Sequence, residues 1–232
     1  MNTNADIKAD INNVINNIIN MISEDNENTN KVNKLKEVGY NYADKILNKS
    51  ITKTEPGSLK YLLWGEIPSE QSLVIKWGHA GEEIFKEAIK LSPDNELLSC
   101  GVKTIDEKGK KKDFDLLWSN NITKTIYIRE CKGNIELDSE KLPATFEKVI
   151  NDLVPFLKEK YPGYVIDFGI LNWSIYSRNI LKKTLSHIKT CEKFNVKVDH
   201  TKDFLDIVGI KWDEDDYYNY FRKIGNKLKG TI

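Results

Sequence analysis

The sequence is short of the residues that cross-link small domains or bind metals in them. It has 3 cysteines and 3 histidines among 232 residues, and Cys100, Cys131 and Cys191 are widely spaced. An odd number of scattered cysteines disfavours a disulfide framework and favours a reducing compartment. Structural zinc takes its ligands from closely spaced Cys or His pairs, so zinc is disfavoured too. We expect any metal to be bound by oxygen.

Net charge and long apolar runs are also missing. The 35 basic and 35 acidic side chains cancel, so any affinity for nucleic acid must come from local patches and not from a global positive field. No stretch approaches the length of a membrane span, and the chain does not begin with the basic and apolar segments of a signal peptide. We therefore expect a cytoplasmic protein with no membrane partner.

What is present suits one folded domain. With 232 residues and 40% hydrophobic content, the chain is long enough for one sizeable core and too short for a second full domain. We predict a single domain, residues 1–232, with extensions at both ends.

The N-terminal region has apolar residues at three- and four-residue spacing, which predicts an amphipathic helix over residues 7–22. We expect this stripe to pack on the chain's own core, with a dimer contact as the alternative. A second helix is predicted over residues 31–47, and the polar residues 24–30 are predicted to form a solvated loop between the two. The stripe consists of Ile7, Ile11, Val14, Ile15, Ile18, Ile19 and Ile22.

The middle of the chain changes between helical and strand patterns. Helices are predicted over residues 81–91, 144–160 and 177–190, and strands over residues 97–105, 112–118, 125–132 and 164–173. Three successive strands indicate an antiparallel meander, and the helix that follows indicates a crossover to a further strand. The predicted fold class is α/β, with a mixed central β-sheet flanked by helices and extra N- and C-terminal helices.

Three residues in the predicted meander form a chemical pattern. Glu130 and Lys132 are two residues apart on a strand, so their side chains project to the same face while Cys131 points the other way. Fourteen residues separate Asp115 from Glu130, a gap that suits two strands joined by a hairpin. The alternative is a solvent-exposed strand face, but the Ile and Tyr residues around Glu130 favour burial, where unpaired charge is costly.

Two carboxylates that converge in this way suit Mg²⁺, which takes one or two carboxylates and completes its shell with water and substrate phosphate. An ammonium group beside the ion can orient the attacking water and stabilise charge that develops on the phosphate. The pattern therefore favours metal-dependent phosphodiester hydrolysis.

The order Asp115, Glu130, Lys132 resembles the D...(D/E)xK motif of the PD-(D/E)xK nuclease superfamily, with Phe114 where the proline of the family name stands. Residues 78–83, GHAGEE, resemble the G-x-x-G-E pattern that opens the first core helix in several branches of that superfamily. The resemblance implies a restriction-endonuclease-like core over residues 78–190, between a helical N-terminal extension (1–70) and a C-terminal extension (191–232). It also implies Mg²⁺ as cofactor, with Mn²⁺ able to substitute. The implied catalytic and metal-binding groups are Asp115, Glu130, Lys132, Glu82 (with Glu83 as the fallback) and the backbone carbonyl of Cys131.

Within this superfamily the chain most resembles a type II restriction endonuclease. That resemblance implies double-stranded DNA as substrate, a homodimer as the working form, and a cognate DNA methyltransferase as genetic partner. A repair or recombination nuclease of the same fold, such as a junction resolvase, is the nearest alternative. A non-catalytic DNA-binding protein is the alternative from another class, and the intact Asp115, Glu130 and Lys132 argue against it.

Further candidates lie outside the motif. Lys111 and Lys112, in a basic run that also includes Lys108 and Lys110, are candidates for contact with DNA phosphates, although such runs are also typical of solvated hairpin tips. Asn134 and Lys141, which follow the motif, are candidates for facing the DNA. An aromatic cluster near the C-terminus could stack on bases, but packing in the core or a dimer contact is the favoured prediction. That cluster consists of Trp212, Tyr217, Tyr218, Tyr220 and Phe221.

Overall fold

The N-terminal region of the computed structural model is one helix, α1 (Asn4–Leu47), and not two. The structure describes residues 4–48, 53–66, 70–104, 109, 111–133, 142–180, 191 and 196–229. The predicted loop over residues 24–30 is wrong, because the segment has no Gly or Pro to end a helix. The helix is held there by the Glu27–Lys31 ion pair at 2.7 Å and by Asn28, whose amide group bonds to the backbone of Lys211.

The two halves of α1 have different surroundings. Val32, Leu35, Ala43 and Ile46 in the C-terminal half are buried in the main core. Every residue from 12 to 27 is exposed instead, so the prediction that the stripe packs on the chain's own core is wrong for the described side chains. Periodicity identified the apolar face correctly but could not determine which surface that face meets.

The next helices are α2 (Leu59–Trp64) and α3 (Glu70–Lys90). Helix α3 begins well before residue 81, so the prediction that the helix opens there is wrong. Gly78 and Gly81 lie inside the helix, at a cost of about 1 kcal/mol each relative to alanine. Apolar side chains at Leu73, Trp77 and Ile84 extend the buried face in both directions, and their packing outweighs that cost.

The strands of the described residues are β1 (Asn95–Leu97), β2 (Lys103–Thr104), β3 (Lys111–Lys112), β4 (Leu116–Asn120), β5 (Thr125–Lys132), β6 (Val165–Asn172) and β7 (Lys197–His200). Five of them form the central sheet, in the order β1-β4-β5-β6-β7. Strands β1, β4 and β5 are antiparallel, and β5, β6 and β7 are parallel. The predicted meander, crossover and mixed sheet are thereby confirmed. Two further short strands, β2 and β3, form a separate antiparallel pair.

Two of the predicted strands are interrupted. The chain leaves the central sheet near Gly101, which has a left-handed φ of 83° that glycine adopts without steric cost. Gly101 and Phe114 exchange two backbone hydrogen bonds across the break. The strand predicted over residues 97–105 is therefore β1 and β2, and the one over 112–118 divides between β3 and β4. Strand β5 has the predicted bounds.

The crossover from β5 to β6 is helical, as predicted over residues 144–160. It consists of α4 (Leu142–Glu147), a π-helical turn (Lys148–Leu153) and α5 (Val154–Lys160). Pro155 lacks an N–H group, so the regular hydrogen bond to the preceding turn cannot form there, and the wider turn stands just before it. Of the helix predicted over residues 177–190, the structure describes a 3-10 turn (Arg178–Ile180), and residues 181–190 lie outside the described residues.

The C-terminal segment adds β7 to the sheet, followed by α6 (Thr201–Val208) and α7 (Glu214–Lys229). Strand β7 belongs to the central sheet although it falls in the segment predicted as an extension. Trp212, Tyr217 and Tyr220 are almost completely buried, which confirms core packing for these aromatic residues. In the described part of the chain, no helix is both long and apolar enough to cross a bilayer.

Helices cover both faces of the sheet. On one face, α3 and α6 pack on the sheet, where Leu116, Trp118 and Leu171 belong to the same core, and α1 and α7 join that core from outside. On the other, the crossover helix packs against Phe114, Leu117, Ile126 and Ile128 through a short row of aliphatic side chains: Val149, Leu153 and Leu157. Strand β5, whose end carries the candidate motif, therefore lies between two apolar layers.

Candidate active site

Asp115 and Glu130 lie side by side at one end of the sheet. The register of β4 and β5 pairs Leu116 with Arg129, so Asp115, one residue earlier, comes next to Glu130. The Asp115 carboxylate accepts a hydrogen bond from the backbone N–H of Cys131 at 2.8 Å. The structure thus brings together the two carboxylates that the sequence pattern singled out.

Lys132 joins Glu130 on the same face of β5. Lys132 Nζ lies 3.7 Å from Glu130 Oε1, and the two side chains are 16% and 13% exposed. Their common face follows from the two-residue spacing on a regular strand. At this degree of burial the pair is shielded from bulk water yet still reachable from outside the protein.

The acidic pair is electrostatically strained. Burial, followed by the negative charge of Glu130, raises the pKa of the Asp115 carboxyl to about 7, although the Cys131 N–H and the Lys132 ammonium act in the opposite direction. Two neighbouring carboxylates in a partly dry site cannot both ionise cheaply without additional positive charge. Such raised acids cluster at functional sites.

Glu82 approaches the pair from α3. Its negative charge contributes to the raised pKa of Asp115, which places it in the same electrostatic neighbourhood. Its carboxylate oxygens lie 3.4 Å from His79 Nδ1 and 3.7 Å from Lys86 Nζ. Glu83, the fallback for the same role, has its carboxylate 2.9 Å from Lys86 Nζ. Helix α3 therefore brings a third acid near the site, with basic partners of its own.

No group of three or more His, Cys, Asp or Glu side chains is arranged to hold a metal ion among the residues that the structure describes. The pair Asp115 and Glu130 still fits Mg²⁺ in donor chemistry, because this ion needs only one or two protein carboxylates and fills its remaining positions with water and phosphate. The grouping of acids supports the fit: after burial, the negative charges of Glu130 and Glu82 raise the pKa of Asp115, and a bound cation would offset both effects.

One glycine of the G-x-x-G-E pattern on α3, Gly81, is required by a close contact with Trp173. A Cβ atom at residue 81 would lie 2.6 Å from Trp173 Cε2, and one at Gly133 would lie 3.2 Å from Trp173 Cζ2. The indole ring therefore packs against both the helix before Glu82 and the end of β5. Gly78 has no atom within 4 Å of the corresponding position. Trp173 was not singled out in the sequence, because its partners are distant along the chain.

Arg129 is a second residue that the sequence interpretation missed. It is fully buried, with Nε 2.7 Å from Asp199 Oδ2 and Nη2 2.7 Å from Asp167 Oδ1. Its Nη1 also donates to the backbone carbonyls of Ile128 and Asp167. The guanidinium group therefore links β5 to both β6 and β7, one residue before Glu130. The signal that the sequence offered for Arg129 was a charged residue within an otherwise apolar strand.

The four candidates for DNA contact differ in exposure and in pairing with acidic residues. Lys111 is exposed on β3, whereas Lys112 Nζ lies 2.9 Å from Asp152 and is partly neutralised. Asn134 and Lys141 lie outside the described residues. Of the four, only Lys111 is therefore seen in an exposed position that DNA could reach.

Two cavities flank α3. A polar one of about 380 Å³ is lined by Glu82, Glu83 and His79 of α3 and by Tyr42 and Lys45 of α1. An apolar groove of about 320 Å³ lies between α3 and α7, lined chiefly by aliphatic and aromatic side chains. Of these two cavities, only the polar one is lined by candidate acids, Glu82 and its fallback Glu83.

Comparisons with protein-family models, with curated proteins and with solved structures found no match for this chain. A functional interpretation therefore depends on the geometry and chemistry of the site itself.

Proposed function

We propose that the chain is a Mg²⁺-dependent endonuclease that hydrolyses phosphodiester bonds of double-stranded DNA. One observation carries the proposal: Asp115 and Glu130 are adjacent on neighbouring strands, with the Lys132 ammonium 3.7 Å from the Glu130 carboxylate. The raised pKa of Asp115 supports it, because a site that concentrates acidic charge favours a cation.

The proposed role of each residue follows from the chemical group that it carries. Asp115 and Glu130 would hold the Mg²⁺, and the backbone carbonyl of Cys131 and the Glu82 carboxylate would be further ligands by resemblance. Bound at this position, the ion supplies Lewis acidity and lowers the pKa of a coordinated water. The Lys132 ammonium donates hydrogen bonds to the attacking water and stabilises the negative charge that grows on the phosphate in the transition state. Mn²⁺, with similar oxygen preference, substitutes for Mg²⁺.

The finer proposal is a sequence-specific type II restriction endonuclease with a restriction-endonuclease-like core, acting in the cytoplasm as a homodimer beside a cognate methyltransferase. The balanced net charge supports specific cleavage over indiscriminate DNA binding. The elements outside the meander and crossover, α1, α6 and α7, are available for recognition and assembly. Base-reading elements of this kind are what sequence-specific cleavage requires.

The test is cleavage of supercoiled plasmid and phage DNA by the purified chain with Mg²⁺. Glu130→Gln and Lys132→Met should abolish cutting, whereas Glu96→Gln, an exposed glutamate on β1, should retain it. Discrete fragments from the wild type would support restriction, and a smear would favour a nonspecific nuclease. Absence of cleavage with both Mg²⁺ and Mn²⁺ would refute the nuclease proposal for DNA.

A further inference from the structure

The N-terminal half of α1 carries an apolar face that nothing in the described structure covers. Six side chains form it, each between 48% and 65% exposed. At 100° per residue they span roughly 160° of the helix surface. Apolar patches of this extent on soluble proteins mark interaction sites. We call this surface the isoleucine face; it consists of Val14, Ile15, Ile18, Ile19, Met21 and Ile22.

This half of the helix also lacks tertiary support. All residues from 12 to 27 are exposed, and the first core contact of α1 in the described residues is Val32. Isolated helices of limited length are marginal in water and depend on packing of an apolar face. A partner on the isoleucine face would therefore stabilise the helix as well as cover the face.

The charge pattern selects among partners. No charged residue lies between Asp10 and Glu24, and no basic residue lies between Lys8 and Lys31. The face thus offers nothing to the phosphates of nucleic acid or of anionic lipids, both of which are bound through Lys and Arg. The polar side of the same stretch consists largely of asparagine, whose amide both donates and accepts hydrogen bonds.

An uncharged apolar face flanked by asparagine is complementary to a copy of itself. Two such faces meet without charge repulsion, and their asparagines can pair with each other. Each face exposes on the order of 500 Å², so pairing two copies removes on the order of 1,000 Å² from water, which is the lower limit for a specific interface. We propose that two copies of this chain associate through the isoleucine face. The proposal names an interface for the homodimer of the proposed function, but it rests on observations separate from the active site, so either can fail without the other.

The test is the oligomeric state of the full chain, measured by sedimentation equilibrium over a range of concentrations. Ile18→Asp places a charge at the centre of the face, and Asn20→Asp places the same charge on the opposite side of the helix. We expect dimers for the wild type and for Asn20→Asp, and a dissociation constant raised about 100-fold or more for Ile18→Asp. Ile15→Asn tests the face without added charge, and circular dichroism verifies that each variant is folded.

Two results would overturn this inference. The first is a wild type that stays monomeric at high micromolar concentration, and the second is a dimer that Ile18→Asp and Ile15→Asn leave intact. Flotation with phosphatidylcholine–phosphatidylglycerol vesicles distinguishes the other occupant. A wild type that remains monomeric and floats with these vesicles through the isoleucine face would assign the face to a membrane instead.

Discussion

Asp115 is the residue whose environment departs most clearly from the ordinary. Its carboxyl has a pKa raised to about 7 by burial and by Glu130, so the folded protein binds this proton more tightly than the unfolded chain does. The corresponding stability is fully present below the ordinary aspartate pKa of 3.8 and is lost as the pH rises from there through about 7, because the unfolded chain ionises first. Without metal, the catalytic pair therefore costs the protein stability in alkaline solution.

We expect Asp115→Asn to raise the stability of the metal-free protein already at pH 5.5, and by about 2 kcal/mol more at pH 8.5, because the amide has no proton to lose between the unfolded and folded pKa values of Asp115. Urea denaturation in EDTA at both pH values measures this. Asp113→Asn, at an exposed position two residues earlier, is the control and should have no comparable effect. Equal effects of Asp115→Asn at the two pH values would contradict the prediction.

Arg129 supports a different prediction at the same scale. Arg129→Met should lower the free energy of unfolding by about 3–5 kcal/mol, because it leaves Asp199, which is 2% exposed, as a buried carboxylate without its main partner. The double variant Arg129→Met/Asp199→Leu should recover much of that loss. A single variant as stable as the wild type in urea denaturation would show that the ion pair contributes little.

At the scale of elements, α3 and the sheet meet through a contact that only glycine permits. Gly81 lies directly against the Trp173 indole, whereas Gly78, one turn earlier on the same helix, faces open space. The two glycines are in similar helical backbone, so their replacement separates helix propensity from packing.

Gly78→Ala should stabilise the protein by up to about 1 kcal/mol, since alanine is the better helix former. Gly81→Ala should instead destabilise it by about 1–3 kcal/mol, because its methyl group would overlap Trp173. It should also reduce any DNA cleavage, because a displaced α3 moves Glu82. Thermal denaturation of both variants gives the comparison, and a stabilising Gly81→Ala would show that the indole moves aside easily.

For the whole molecule, the proposed metal site connects binding to folding. A ligand that binds the native state alone stabilises it by an amount that grows with its concentration, about 2.7 kcal/mol at one hundred times the dissociation constant. Mg²⁺ or Mn²⁺ should therefore raise the melting temperature of the wild type, and EDTA should reverse the shift.

The same titration with Glu130→Gln should show a much smaller shift, while Glu96→Gln should behave as the wild type does. Ca²⁺, which also prefers oxygen ligands, provides a binding measurement that does not depend on catalysis. Equal stabilisation of wild type and Glu130→Gln by all these ions would place the bound metal elsewhere.

The sequence alone was enough for the features that depend on local periodicity. Strand β5 has its predicted bounds, and Glu130 and Lys132 share a face, because the two-residue alternation of a strand is a local property. The proximity of Asp115 followed from the short hairpin before β5. Burial of Trp212, Tyr217 and Tyr220 followed from their size and apolar surface.

Tertiary structure decided the features that depend on contacts between distant residues. The continuity of α1 involves the Asn28–Lys211 hydrogen bonds, and the role of Arg129 depends on Asp199 from a strand 70 residues away. The partner of Lys112 and the clash that excludes a side chain at Gly81 are of the same kind. A hydrophobic period shows which face of an element is apolar, but which surface that face meets, or whether it meets none within the chain, is determined only when all the elements compete for the same core.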